Sequence, residues 1–487
     1  MTEAPLGRAT LCLSVGDVPG AVAALQDAVV RIPEFAEAHQ LLGGLCLGSL
    51  DDYGRAREHF EIALRLHRER GDVRTAARCA IVLSVVEATD DREAARSEWL
   101  DRARGMLDEL GPCVEEGYYR IARRGFEVLD VTALEVDAAA ALEVAERFGD
   151  TELEIRARAE RGLALVSLGR TAEGIVMLEE ASVAAMAGGV RTLGTWAMTC
   201  CALVTTCYRL RDLERLTRLV DEIRHTVRER FHAMPQPMLT AHCRGMLGGL
   251  LAEAGRWEEA ETELQEAIAT TACAGHRAAA AAHLALLRVH QGRLDKAAEL
   301  LCSHEDRPEV AGALARLQDA RDELELAAST LRQALLDHEG NLVLSAPLLG
   351  HLVDVERRRG DIEAADRAAV RLESIAGALA SHEVSAMALL GRGRVTQARG
   401  EDGGRMLLAA LRELQGLERP HLRAEVHLSL ADTSIDLAAA IAYAREAFAL
   451  FTRLGARRDA DRAAAVLHSF GVMAPTDAAE DSRSSSR

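Results

Sequence analysis

Three histidines in one segment are the first residues whose type and spacing suggest chemistry. His276, His283 and His290 stand seven residues apart in an alanine-rich stretch that reads as a helix. Seven residues make nearly two helical turns, so the three side chains share one face. The same spacing separates successive histidines by about 10.5 Å along the axis, which is too far for two ligands of one metal ion. We therefore expect solvated or hydrogen-bonded helix histidines.

Other segments resemble catalytic motifs but do not complete them. Three His-Glu dipeptides begin like the helical zinc motif of metalloproteases, but each lacks the second histidine; they are His304-Glu305, His338-Glu339 and His382-Glu383. Cys200, Cys201 and Cys207 lie in an apolar stretch, where burial raises the pKa of a thiol and leaves it inert. The sequence thus predicts no catalytic residue, no metal and no cofactor, and a chain that is not an enzyme.

The composition limits which classes of partner and which cellular compartment are expected for this chain. The chain has 487 residues with 58 basic and 76 acidic side chains, a net charge of −18, so general nucleic-acid binding is not expected. Its 10 cysteines form no Cys-x-x-Cys pair, which favours reduced thiols in a cytoplasmic protein. The longest uncharged run, 192–208, is shorter than the roughly 18 apolar residues that a membrane helix needs. No membrane association is predicted.

A recurring pattern of small and large residues organises the helices. In the clearest copy Gly255 is followed by Ala260, Leu264 and Ala267, which suits a turn glycine and one packed helix face. Related copies open at Ala21, Ala56, Gly174, Ala297, Ala327 and Ala365. Because glycine or proline returns every 35–40 residues or so, an unbroken coiled coil is excluded. The pattern predicts stacked helix–turn–helix units.

These copies resemble the tetratricopeptide repeat, a pair of antiparallel helices in 34 residues. The resemblance implies an all-α, right-handed α-solenoid of about eleven helix pairs. We expect an N-terminal solenoid segment over 1–230 and a C-terminal one, continuous with it, over 238–473. The proline-containing segment 231–237 would be a loop insertion and hinge between them, and residues 474–487, rich in Ser, Asp and Arg, would form a disordered tail.

Four phrases resemble a particular setting of such repeats, the helical region of actinobacterial LuxR-type transcriptional regulators. They lie at 46–53, 162–169, 241–260 and 454–463, and the resemblance covers about residues 8–471. In that family a helix-turn-helix DNA-binding domain typically follows the last repeat helix, whereas the acidic tail follows Gly471 here. The resemblance therefore implies a regulatory or sensory interaction module with no direct nucleic-acid binding by this chain.

The tetratricopeptide resemblance also indicates groove positions, because the first helix of each pair lines the concave side. The candidates for partner binding are Gln40, Arg156, Met198, Thr205, Tyr208, Arg209, His242, Glu253 and His290. The leading hypothesis is a non-enzymatic scaffold that binds a protein or peptide partner in its groove. The alternatives are a truncated or split LuxR-type regulator that lacks its DNA-binding domain, and a small-ligand-sensing or enzymatic role in the segment around 196–244.

Overall fold

The computed structural model describes residues 3–124, 130–190 and 192–474. These residues form twenty-five α-helices, one 3₁₀ turn at Pro308–Val310 and no strand. The helices are α1 Glu3–Leu13, α2 Val18–Arg31, α3 Ala36–Gly48, α4 Tyr53–Glu69, α5 Val73–Thr89, α6 Glu93–Leu110, α7 Glu115–Ala122, α8 Val131–Phe148, α9 Thr151–Ser167, α10 Thr171–Met186, α11 Leu193–Arg209, α12 Leu213–Arg230, α13 Pro237–Glu253, α14 Trp257–Thr270, α15 Ala274–His290, α16 Leu294–Leu301, α17 Ala311–Ala320, α18 Leu324–Asp337, α19 Leu342–Arg359, α20 Ile362–Leu379, α21 His382–Ala398, α22 Gly404–Glu413, α23 Pro420–Thr433, α24 Leu437–Leu454 and α25 Arg457–Ser469. The predicted all-α solenoid is confirmed.

Local sequence sets where many of these helices begin and end. The side chains of Asp52, Asp72 and Asp212 accept hydrogen bonds from free backbone N–H groups in the first turns of α4, α5 and α12, the usual role of an N-cap carboxylate. Gly255 ends α13 with a φ of +82°, and the Arg256 N–H donates to the Leu251 carbonyl over 2.9 Å. Such a turn favours glycine because the left-handed backbone crowds a Cβ.

The helices pack as pairs at the positions that the repeat pattern marks. Ala260, Leu264 and Ala267 are fully buried between α13 and α14. A Cβ added at Gly248 of α13 would lie 2.7 Å from Cγ of Leu264, and one at Gly43 of α3 would lie 2.9 Å from the Phe60 ring of α4. The small residue on the first helix of each pair thus makes room for the large residue on the second.

The stack also coils back on itself, which the repeat pattern does not predict. The Asp51 carboxylate, in the turn between α3 and α4, accepts a 2.9 Å hydrogen bond from the Thr271 hydroxyl, 220 residues further on. Arg307 pairs with Asp91 over 2.6 Å, and Gly255 lies against Pro420 and Leu454. Helix pairs roughly 165–220 residues apart are therefore in contact, and the concave face of the solenoid becomes the wall of an interior cavity.

Three expectations about organisation differ from the structure or fall outside it. The described residues form twelve pairs and a final helix, α25, where about eleven pairs were expected. Phe231 and Met234 of the expected loop insertion are buried in one cluster with Val18 and with residues of α11 and α13, so helices on both sides of this segment share a core. The division into 1–230 and 238–473 remains a prediction. The tail expected at 474–487 lies, from residue 475, outside the described residues.

None of the helices in the described residues has the length and apolar character that are needed to cross a membrane.

Candidate functional site

The main concave feature is an interior cavity of about 1200 Å³. Its wall is formed mainly by the first helices of successive pairs, α11, α13, α15, α17, α19, α21 and α23, together with α25. Twelve arginines, nine carboxylates and seven histidines line it. The arginines exceed the carboxylates here, whereas acidic residues outnumber basic ones by 76 to 58 in the whole chain. Positive side chains therefore outnumber negative ones on the cavity wall, whereas the chain as a whole is negatively charged.

The structure brings six of the nine predicted groove residues to this wall. They are Thr205, Tyr208, Arg209, His242, Glu253 and His290. The other three do not line the cavity: Gln40 is half-buried on α3, and Met198 packs against the hydrophobic core of the N-terminal pairs. Arg156 is buried on α9 in an ion pair with Glu160. Contact of any of the nine with a partner remains a prediction.

The three histidines of α15 all face the cavity, but each meets a different neighbour. The His276 ring lies 4.6 Å from that of His242, the His283 ring 5.5 Å from Tyr208, and the His290 ring 4.1 Å from His421, measured between centroids. The three side chains therefore share one face of α15, as the seven-residue spacing predicts.

Two of the cavity histidines are held neutral by burial. Burial, with a smaller effect of His276, lowers the pKa of His242 to about 3, and its Nε2 lies 3.0 Å from the Thr205 hydroxyl. Burial, with a smaller effect of Arg211, lowers the pKa of His283 to about 4. Removing a side chain from water disfavours its charged form. These rings are therefore uncharged hydrogen-bonding groups at neutral pH.

Most of the charges on the wall belong to ion pairs. Arg211 lies 2.8 Å from both Glu253 and Glu383, and Arg419 lies 2.7 Å from Glu383. Elsewhere on the wall Arg394 pairs with Asp354 over 2.8 Å and also with Glu425. In such a pair, the attraction between the opposite charges offsets the cost of removing each charge from water.

Three arginines of the wall are exceptions. Within the described chain, Arg209, Arg316 and Arg458 have no carboxylate within ion-pair distance. Arg209 is 8% exposed, donates to the Ser167 hydroxyl, and has its pKa lowered to about 10 by burial. Arg316 and Arg458 are half-buried. A buried guanidinium without an anion is costly, so these groups favour an anion in the cavity.

A cysteine and a histidine form a second polar pair on the wall. Cys273 is the N-cap residue of α15 and precedes His276 by three residues, so both side chains lie at the first turn of that helix. Burial alone would raise the pKa of Cys273, but His276 lowers it overall. The apolar cluster of Cys200, Cys201 and Cys207 differs from Cys273. Burial raises the pKa of Cys200 and Cys201, and it raises the pKa of Cys207 to about 12.

One group of side chains was missed by the motif analysis. His290 at the end of α15, His421 at the start of α23 and Asp459 at the start of α25 meet at the cavity wall. The Asp459 carboxylate lies 2.9 Å from His421 Nε2 and 3.4 Å from His290 Nδ1. The three residues belong to three helices spread over about 170 residues of sequence. No spacing motif could have linked them, because the contact depends on the coiling of the stack.

Comparisons with known proteins give no assignment. No protein-family model matches the chain, and no curated protein matches it. Among solved structures, it is similar to a chain in the crystal structure of the APC/C hetero-tetramer Cut9–Hcn1, over 95% of this chain and 96% of that chain. The TM-score is 0.38 and the sequence identity 12%, a level at which no residue can be carried from one chain to the other.

Proposed function

We propose that this chain is a binding module that holds an acidic, extended segment of a partner protein in its interior cavity and catalyses no reaction. The observation that carries the proposal is the presence on the wall of Arg209, Arg316 and Arg458, which have no carboxylate partner among the residues that the structure describes. Carboxylates of a bound segment would complete the pairing that the other nine arginines of the wall already have.

The size of the cavity favours a peptide segment over a small metabolite. Its volume of about 1200 Å³ exceeds the roughly 300–1,000 Å³ that is typical of pockets for drug-sized ligands. Apolar residues such as Leu286, Met387 and Leu390 lie on the wall among the charges. A segment that alternates acidic and apolar side chains would satisfy both kinds of surface.

Selection from a random peptide library tests the proposal, because the enriched sequences show which side chains the cavity binds. We expect the selected peptides to be enriched in Asp and Glu. For one selected peptide, the double variant Arg316→Gln/Arg458→Gln should bind about 100-fold more weakly or worse, because each of the two lost charge-assisted hydrogen bonds is worth about 1.5–3 kcal/mol. Isothermal titration calorimetry measures the affinity, and inorganic phosphate serves as the small-anion comparison.

Arg371→Gln is the matched control, because Arg371 is exposed on α20 and does not line the cavity. Its affinity for the peptide should equal that of the unmodified chain. The proposal is wrong if the selected peptides show no acidic enrichment, if the double variant binds as well as the Arg371→Gln control, or if phosphate competes fully with the peptide at low concentration.

The repeat region of a LuxR-type regulator is the second candidate, and it rests on the sequence at 46–53, 162–169, 241–260 and 454–463. In that case the binding module would control a helix-turn-helix domain on another chain or in an adjoining reading frame. Sequencing the flanking genomic DNA tests it: the absence of any helix-turn-helix reading frame beside this one would count against the candidate.

A further inference from the structure

We propose that His290, His421 and Asp459 form a binding site for a divalent transition-metal ion on the wall of the interior cavity. Their ligand atoms all lie within 4.8 Å of one another, and they are the one group of this kind among the described residues. A zinc ion about 2.0–2.2 Å from nitrogen and oxygen ligands holds those atoms roughly 3.0–3.6 Å apart. The observed separations from Asp459 to His421 and His290 are 2.9 and 3.4 Å.

The chemistry of the three side chains points to the class of metal. Two imidazoles with one carboxylate suit Zn²⁺ or Fe²⁺, whereas Ca²⁺ and Mg²⁺ prefer sites made of oxygen ligands. All three residues line the cavity. The ion would thus have three protein ligands and at least one coordination position open to the interior, which a water molecule or a donor atom of a bound molecule could fill.

Neighbouring side chains fix the orientation of the ligands. Arg462 donates to the other oxygen of Asp459 over 3.0 Å and is itself paired with Glu425 over 2.9 Å. The Trp257 ring stacks on that of His290 at an angle of 28° with 6.1 Å between centroids, and the Phe451 ring meets the His421 ring edge-on with 5.3 Å between centroids. Neighbouring groups that hold the metal-binding side chains in place are typical of metal sites.

The simplest alternative is a hydrogen-bonded contact in which both imidazoles donate to Asp459 without any ion. The same cavity supplies a comparison, because His351 lies 3.2 Å from Asp319 and no third ligand joins this pair in the described part of the chain. A His–Asp pair supplies two ligands and should not hold a transition metal tightly. The His351–Asp319 pair is therefore the matched control.

The test uses the full chain without a purification tag, stripped with EDTA and titrated with Zn²⁺ by calorimetry. We expect one equivalent to bind, with affinity about 100-fold lower or worse in His421→Gln and Asp459→Asn and unchanged in His351→Gln. Circular dichroism checks that each variant keeps its helices. Substitution of Co²⁺ into the unmodified chain, followed by X-ray absorption, counts the imidazole ligands without depending on any variant.

Two imidazoles in the Co²⁺ spectrum together with the loss in both ligand variants would support the site. The site is refuted if the unmodified chain binds no Zn²⁺, if His351→Gln weakens binding as much as His421→Gln, or if the metal shell lacks two imidazoles. Because the probe is the metal alone, this outcome is independent of whether an acidic segment binds in the same cavity.

Discussion

At the scale of single residues, the wall of the cavity separates two kinds of cysteine. Cys200 and Cys201 lie among apolar side chains of α11, where burial raises the pKa of both thiols. Cys273 stands at the N-terminus of α15, and its pKa is lowered by the adjacent His276. Thiolates rather than thiols are the nucleophiles. A cysteine can therefore be mostly buried and still be the more reactive one.

Alkylation with iodoacetamide at pH 7.5 should modify Cys273 at least about tenfold faster than Cys200, because its thiolate is more populated. His276→Gln removes the stabilising imidazole and should slow Cys273 to the rate of the other buried thiols. Peptide mapping by mass spectrometry follows each site. His283→Gln, on the same face of α15 and remote from Cys273, should leave the rate unchanged; equal rates at Cys273 and Cys200 in the unmodified chain would contradict the prediction.

At the scale of helices, packing within each pair depends on a few close approaches. Gly43 and Gly44 are adjacent in α3, but only Gly43 faces α4, where a Cβ would lie 2.9 Å from the buried Phe60 ring. Nothing lies within 4 Å of a Cβ at Gly44. The two positions share a helix, a residue type and a backbone conformation. They differ in the space available to a methyl group.

Gly43→Ala should lower the free energy of opening of the α3–α4 pair by about 1–3 kcal/mol through overpacking. Gly44→Ala should raise it by up to about 1 kcal/mol, because alanine favours the helix over glycine. Hydrogen exchange of the α3 and α4 amides measures this local opening, which suits a solenoid because its unfolding need not be two-state. Equal effects of the two substitutions would show that the predicted crowding is absent.

Sequence reasoning succeeds at this scale because the relevant contacts are local. Gly248 and Leu264 are 16 residues apart, and the rule that pairs a small residue with a large one can be read along the chain. The same locality explains why Thr205, His242 and His290, chosen as positions on first helices, lie on the cavity wall; their role in partner binding remains a prediction. The pairing of the helices, and the face that each helix turns to its partner, can thus be predicted from patterns in the nearby sequence.

At the scale of the whole molecule, the coil of the solenoid was beyond sequence reasoning. Each pair is rotated slightly relative to the last, and small rotations accumulate over many repeats. Contacts such as that of Asp51 with Thr271 therefore depend on the summed geometry of about 220 residues. The same accumulation brings His290 to His421 and Asp459. Gln40 and Met198 lie on the first helices α3 and α11 but do not line the cavity.

Closure of the cavity has a consequence for stability against acid. His242 and His283 are neutral when folded because burial lowers their pKa to about 3 and about 4, whereas an exposed histidine in the unfolded chain has a pKa of about 6.5. Between these values the unfolded chain binds protons that the folded chain cannot. The stability due to each neutral ring is complete above pH 6.5 and is lost as the pH falls toward 4.

Lowering the pH from 7.5 to 5.0 should therefore cost about 2 kcal/mol for each of these two histidines, and the thermal unfolding midpoint should fall accordingly. His283→Gln removes one of the titrating groups, so the variant should lose less stability over this interval by about the same amount. Arg371→Gln is the control, because Arg371 is exposed outside the cavity and a guanidinium stays charged throughout this interval, so its replacement should leave the acid response unchanged. Carboxylates titrate alike in all three proteins, so the comparison isolates the buried ring. An identical acid response in His283→Gln and the unmodified chain would mean that His283 accepts a proton in the folded state and that the cavity wall is open to water at that point.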